Sequence, residues 1–70
     1  MHRFLIVVEK AIGNFSAYSP DLPGCIATGT SREAAERSMH GAIEFHLDGL
    51  KQDKLPIPEG HSSASFVSVP

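Results

Sequence analysis

Phe4-Leu5-Ile6-Val7-Val8 is an unbroken apolar run rich in β-branched residues and closed by Glu9-Lys10. Because it does not alternate, it predicts a strand covered on both faces. Phe15, Ala17 and Ser19 then alternate with Ser16 and Tyr18, the two-residue period of a second strand. Ile12-Gly13-Asn14 between them carries hairpin chemistry, so these strands are expected to pair antiparallel. Leu22-Pro23-Gly24-Cys25 puts proline second and glycine third in a four-residue turn. That is the type II arrangement, because proline presets its φ and glycine accepts a positive one. Asp21, Pro23, Gly24 and Cys25 are accordingly read as a structural corner, from which a third strand is expected over residues 25–28.

Thr30-Ser31-Arg32-Glu33 reads as a capping box, with the Thr hydroxyl and the Glu carboxylate satisfying free amides at a helix start. The helix can run to Lys51 or Gln52, after which Pro56 and Pro58 forbid continuation. On a helical wheel Ala35, Met39, Ala42, Ile43, His46, Leu47 and Leu50 share one stripe, opposite Glu33, Arg37, His40, Glu44 and Lys51. Phe45 stands off that stripe beside Ala34, Ser38 and Gly49, a second and narrower surface suited to another chain. The prolines extend the segment from Lys54 to Glu59. Ser65-Phe66-Val67-Ser68-Val69 alternates as a short fourth strand would, at an edge of the sheet. The expected fold is α+β in the order β-β-β-α-β: a three-stranded antiparallel sheet, one long helix on one face and a short edge strand, all in a single domain over residues 1–70.

Composition narrows what such a fold can do. Six Lys and Arg against eight Asp and Glu give a net charge of -2 in 70 residues, and the cations at Arg3, Lys10, Arg32, Arg37, Lys51 and Lys54 are scattered. Strong nucleic-acid binding by this chain alone is disfavoured, because neutralising phosphates needs clustered cations. One cysteine excludes an internal disulfide and fits a reducing cytoplasm. The run at 4–8 is too short for an export signal or a membrane span. A chain this small buries only ~60% of its unfolded surface. With disulfide and membrane set aside, association into a homo-oligomer, a dimer or higher, is the remaining source of stability. A first strand apolar on both faces, with one helix to cover it, points the same way.

Residues able to carry chemistry are few. His40 and His46 lie ~120° apart on the helix and cannot share a metal; the first belongs to a solvated face with Glu36 and Glu44, the second to the packed stripe. Cys25 has no neighbouring cation to activate it and reads as a half-buried structural thiol. On that view Gly24→Val should cost more than Cys25→Ser. No phosphate-binding glycine loop, nucleophile elbow or paired-cysteine motif occurs. No catalytic, cofactor-binding or metal-ligating residue is therefore assigned and no cofactor is expected. A weak metal-dependent nuclease using Glu9 and Asp21 is the alternative.

Tyr18-Ser19-Pro20-Asp21-Leu22-Pro23-Gly24-Cys25, then Thr28-Gly29-Thr30-Ser31 with Glu33-Ala34, Ala42-Ile43-Glu44 and Leu55-Pro56-Ile57-Pro58, together resemble the HicB-like antitoxin family over roughly residues 3–59. The resemblance implies a degraded ribonuclease H fold, self-association and binding to a HicA-like toxin that cleaves messenger RNA. The first-strand acid of an active ribonuclease H would fall in the apolar run at 4–8, so catalysis is not carried over. Family members often add a C-terminal DNA-binding module; nothing after Glu59 is long or basic enough for one. The expected function is a non-catalytic protein-binding module, the antitoxin of a type II toxin-antitoxin pair, that neutralises its toxin by covering the active surface. Tyr18, Phe45, Phe66 and Val67 are the candidate interface residues.

Overall fold

The computed structural model describes residues 2–70 and contains β1 (Val7–Ala11), β2 (Asn14–Tyr18), β3 (Ile26–Gly29) and α1 (Arg32–Gln52). The strands form one antiparallel sheet in the order β1-β2-β3, and α1 packs across it, most closely on β3. The fold is α+β, as the hydrophobic pattern requires.

Register explains where β1 differs from the expected strand at 4–8. Val7 pairs with Tyr18 and Ala11 with Asn14, around a two-residue hairpin whose Gly13 sits at φ +81°. Beyond Tyr18 the second strand leaves the sheet at Ser19-Pro20, where proline has no amide to donate. Phe4, Leu5 and Ile6 consequently have no partner strand among the described residues. Phe4 and Ile6 pack against the core as an extended lead-in instead, and pairing moves down to include Glu9, Lys10 and Ala11.

Alternation sorts the sheet into two faces. Val8, Ala17 and Ala27 lie in one cross-strand row toward α1, while Val7, Tyr18 and Ile26 lie in the adjacent row on the opposite face. The core formed under α1 is small: Ala17, Leu22, Cys25, Ala35 and Met39 are buried, with Phe4, Ile6, Val8, Phe15, Ala27, Ala42 and Ile43 packed around them. Cys25 is 7% exposed, so it is a core residue rather than a half-buried one, and the expected gap between Gly24→Val and Cys25→Ser closes.

The helix is capped one residue later than expected. Ser31, in extended conformation, accepts a 3.0 Å bond from the Ala34 amide, leaving Thr30 outside and exposed. Gly29 supplies the reason. A Cβ there would meet the Ala35 amide nitrogen and lie 2.7 Å from the Ala34 carbonyl carbon, so β3 continues to Gly29 in order to reach the first helical turn. At the other end Lys54, at φ +57°, closes the helix, with Leu55 N–H donating to Leu50 and Lys54 N–H to Lys51. This is a Schellman motif with lysine where glycine is the usual residue.

The expected fourth strand is not formed. Residues 55–70 have no regular secondary structure, and Phe66, Val67 and Val69 are fully or largely exposed. The radius of gyration is 13.6 Å, against ~11 Å for a compact unit of this length. The excess comes with that projecting tail. An alternating pattern makes a strand only where an edge accepts it, and this tail is held elsewhere.

Candidate functional site

The corner between β2 and β3 organises the site. Leu22 N–H donates to Ser19, and Cys25 N–H to Leu22 at 3.1 Å, with Gly24 at φ +83°; proline second and a positive φ third give a type II turn. The turn buries Leu22 and Cys25 and also draws the Asp21 carboxylate inward, leaving its side chain 1% exposed.

That carboxylate is fully engaged by a segment forty residues further on. Asp21 Oδ2 accepts from the amides of His61 (3.1 Å) and Ser62 (3.0 Å), and Oδ1 accepts from Ser62 Oγ (2.7 Å), with His61 Nδ1 at 3.2 Å. The Ser62 hydroxyl first, then the Ser62 amide, hold the Asp21 carboxyl below its usual value of 3.8 against the opposing effect of burial. Gly60 lies directly against the Arg3 carbonyl, and residues 60–64 run beside residues 3–6. The expected corner residue Asp21 is thus also the anchor of the C-terminal segment. Nothing local in the sequence signals this, because its partners are an ordinary His and Ser in a serine-rich stretch.

A second feature is apolar and open. On the sheet face away from α1, Tyr18 (38% exposed) sits between Val7 and Ile26 (68% exposed). Ile26 also borders a groove of about 470 Å³ between β3 and the C-terminal half of α1, whose wall includes Cys25, Phe45, His46 and Leu50. Phe45 is 79% exposed. Of the candidate interface residues, Tyr18 and Phe45 are therefore linked through Ile26 around the β3 flank, while Phe66 and Val67 stand apart on the tail. Sequence reading passed over Ile26, although the period of two that sends Cys25 and Ala27 inward sends it outward.

Titratable groups elsewhere form no comparable constellation. His40 Nδ1 is 3.3 Å from Glu44 on the solvated helix face, and His46 borders the groove. Burial pushes the Cys25 thiol above its usual 9.0, which disfavours the nucleophilic thiolate. Among the described residues no three acidic, His or Cys side chains stand together as metal ligands would. Glu9 lies exposed on β1 opposite Ser16.

The corner sequence, the glycine-tight entry to α1 and the proline exit lie within one region of family similarity: the model of the HicB-like antitoxin of bacterial toxin-antitoxin systems matches residues 4–70. The chain belongs to this family. An uncharacterised 14.9 kDa protein in the rep-hol intergenic region of Haemophilus phage HP1 is 28% identical over 93% of the chain. The match covers 49% of that relative, so this HicB-like chain spans about half the phage protein's length. A UPF0150 protein of Helicobacter pylori is 41% identical over 70% of the chain and 68% of its own length. A UPF0150 protein of Synechocystis is 28% identical over 84% of the chain and 76% of its own. No solved structure matches this HicB-like chain. No helix among the described residues is long and apolar enough to cross a membrane.

Proposed function

We propose that this chain is the antitoxin of a type II toxin-antitoxin pair, acting in the cytoplasm, and that it neutralises a HicA-like mRNA-cleaving toxin by covering the toxin's active surface without catalysis of its own. The observation that carries this reading is the apolar row Val7, Tyr18 and Ile26 on the uncovered sheet face, in a chain that belongs to an antitoxin family. Aromatic and aliphatic anchors on a rigid sheet are what a tight protein interface is built around. With a net charge of only -2, apolar burial rather than charge supplies the affinity. Tyr18 is the central anchor on the toxin side, while Phe45, Phe66 and Val67 serve self-association into a homo-oligomer. The chain on its own does not bind nucleic acid strongly.

The nuclease alternative draws no support from the site. Both oxygens of Asp21 are taken by His61 and Ser62, and a carboxylate committed in this way positions the tail rather than holding a metal. The reading is tested by co-expressing the chain with a HicA-like toxin. Growth is restored by the natural chain and not by a folded Tyr18→Lys variant, whose charge sits in the contact. Equal rescue by Tyr18→Lys would remove the sheet face from the interface, and absence of rescue by the natural chain would remove the antitoxin role.

A further inference from the structure

The two edges of the sheet are treated differently. β1 carries Glu9 and Lys10, and its lead-in at residues 3–6 is flanked by the anchored segment 60–64. Charged residues and covering segments are how proteins keep an edge from recruiting foreign strands. β3, Ile26-Ala27-Thr28-Gly29, has neither a charge nor a proline, and no strand pairs with its outer side among the described residues. Beside it runs the groove with Phe45 and Leu50 in its wall.

The same chain holds a segment of matching chemistry. After the anchor at Ser62, Ser63 to Pro70 carry no charge, and Ser65-Phe66-Val67-Ser68-Val69, when extended, puts Phe66 on one face and Val67 and Val69 on the other. Its apolar side chains face solvent, Phe66 wholly and Val67 and Val69 by about four-fifths. Eight residues beyond the anchor reach ~26 Å when extended, against the ~13 Å of a four-residue strand. Because the segment leaves along the β1 side, to reach its own β3 edge it would have to cross a face of the sheet. The β3 edge of another molecule can be approached along its length.

We propose that two copies of this chain exchange their C-terminal segments, each laying residues 65–69 against the β3 edge of the other and packing apolar side chains into the Phe45 groove. Residues 65–69 and β3 carry no charge, although Asp53 lines the groove, and because each chain supplies both strand and edge, the contact is self-complementary and closes on itself as a dimer. The Asp21 anchor sets where the exchanged strand departs. This rests on and deepens the self-association in the proposed function, and it leaves Val7 and Tyr18 of the sheet face to the toxin.

Sedimentation equilibrium on the full chain over a concentration series tests the exchange, with Val67→Pro and Phe45→Glu beside it. Proline removes a strand amide and its fixed φ suits only an unpaired edge, and Val67, 83% exposed, leaves the monomer fold unaffected when changed, as thermal melting checks. The natural chain is expected at twice its 7.5 kDa mass, with both variants raising the dimer dissociation constant by more than about tenfold. A single-chain mass throughout, or a Val67→Pro variant that dimerises like the natural chain, overturns the proposal. Dissociation by Phe45→Glu alone also overturns it, because helix packing would then suffice. Toxin inhibition measured on the same samples separates the two readings: a dimer sensitive to Val67→Pro that leaves the toxin active supports the exchange and removes the antitoxin role.

Discussion

The two flanks of the sheet show opposite ways of finishing a small fold. On the β1 flank the chain completes itself, with Asp21 gathering the amides of His61 and Ser62 and the Ser62 hydroxyl onto one carboxylate and laying the tail beside residues 3–6. On the β3 flank it stops short, leaving Ile26 and Phe45 in solvent along an unpaired edge. Polar groups taken from water must be satisfied wherever they are buried, so the polar flank is closed within the monomer. Apolar surface can be left for a partner at a cost in solubility only. The difference teaches that the open flank is the one still available to a partner, which is where the proposed function places the contacts.

The largest expected effect comes from the residue that brings α1 onto β3. Gly29→Val drives a side chain into the backbone at Ala34 and Ala35, which cannot retreat without separating helix from sheet, and the loss is about 3 kcal/mol. Denaturant unfolding measures it. Stability within about 0.5 kcal/mol of the natural chain would mean that the close approach does not build the open flank. Gly24→Val comes next. A Cβ there meets nothing within 4 Å, so its cost is the conformational one of a positive φ, about 1–2 kcal/mol. Cys25→Ser, placing a hydroxyl in the core, costs a similar ~1–3 kcal/mol.

Effects on the closed flank are smaller and confined to the tail. Asp21→Asn removes the charge that the three donors share, and amide exchange at His61 and Ser62 is expected to rise toward that of an unprotected segment while the sheet amides stay protected. Acid acts in the same direction. The folded state holds the Asp21 carboxyl below 3.8, so the anchor's contribution is complete above that value and is lost as pH falls through the lowered folded one. Tail amides that stay protected well below pH 3.8 would contradict this. The smallest change is Lys54→Gly, which relieves a left-handed lysine at the helix end and is expected to stabilise by about 0.5–1 kcal/mol in thermal melting.

What was legible in the sequence was local. The period-two alternation, the Pro23-Gly24 corner and the capped, proline-terminated helix follow from neighbours within a few residues, and they give three strands and one helix in the right order. What was illegible depended on distant partners. Residues 4–6 read as strand because they are apolar, yet Ser19-Pro20 ends the strand that would pair with them. Thr30 and Ser31 are equally good caps in isolation, and the approach of Gly29 to Ala34 decides for Ser31. Residues 65–69 have a strand's pattern, but the anchor at Ser62 holds the chain beside the lead-in and the pattern finds no edge in the monomer. Asp21 looked like a turn residue because its partners are forty positions away, and Ile26 was missed because its importance lies in joining two surfaces.

The central claim is that this chain neutralises a toxin by covering it with the open sheet face. Titration of the chain into an RNA-cleavage assay with a HicA-like toxin tests it most directly. The account predicts that cleavage falls to background near one antitoxin chain per toxin, and that a folded Tyr18→Lys variant needs more than about tenfold excess to do the same. Undiminished cleavage in the presence of excess folded chain would contradict it.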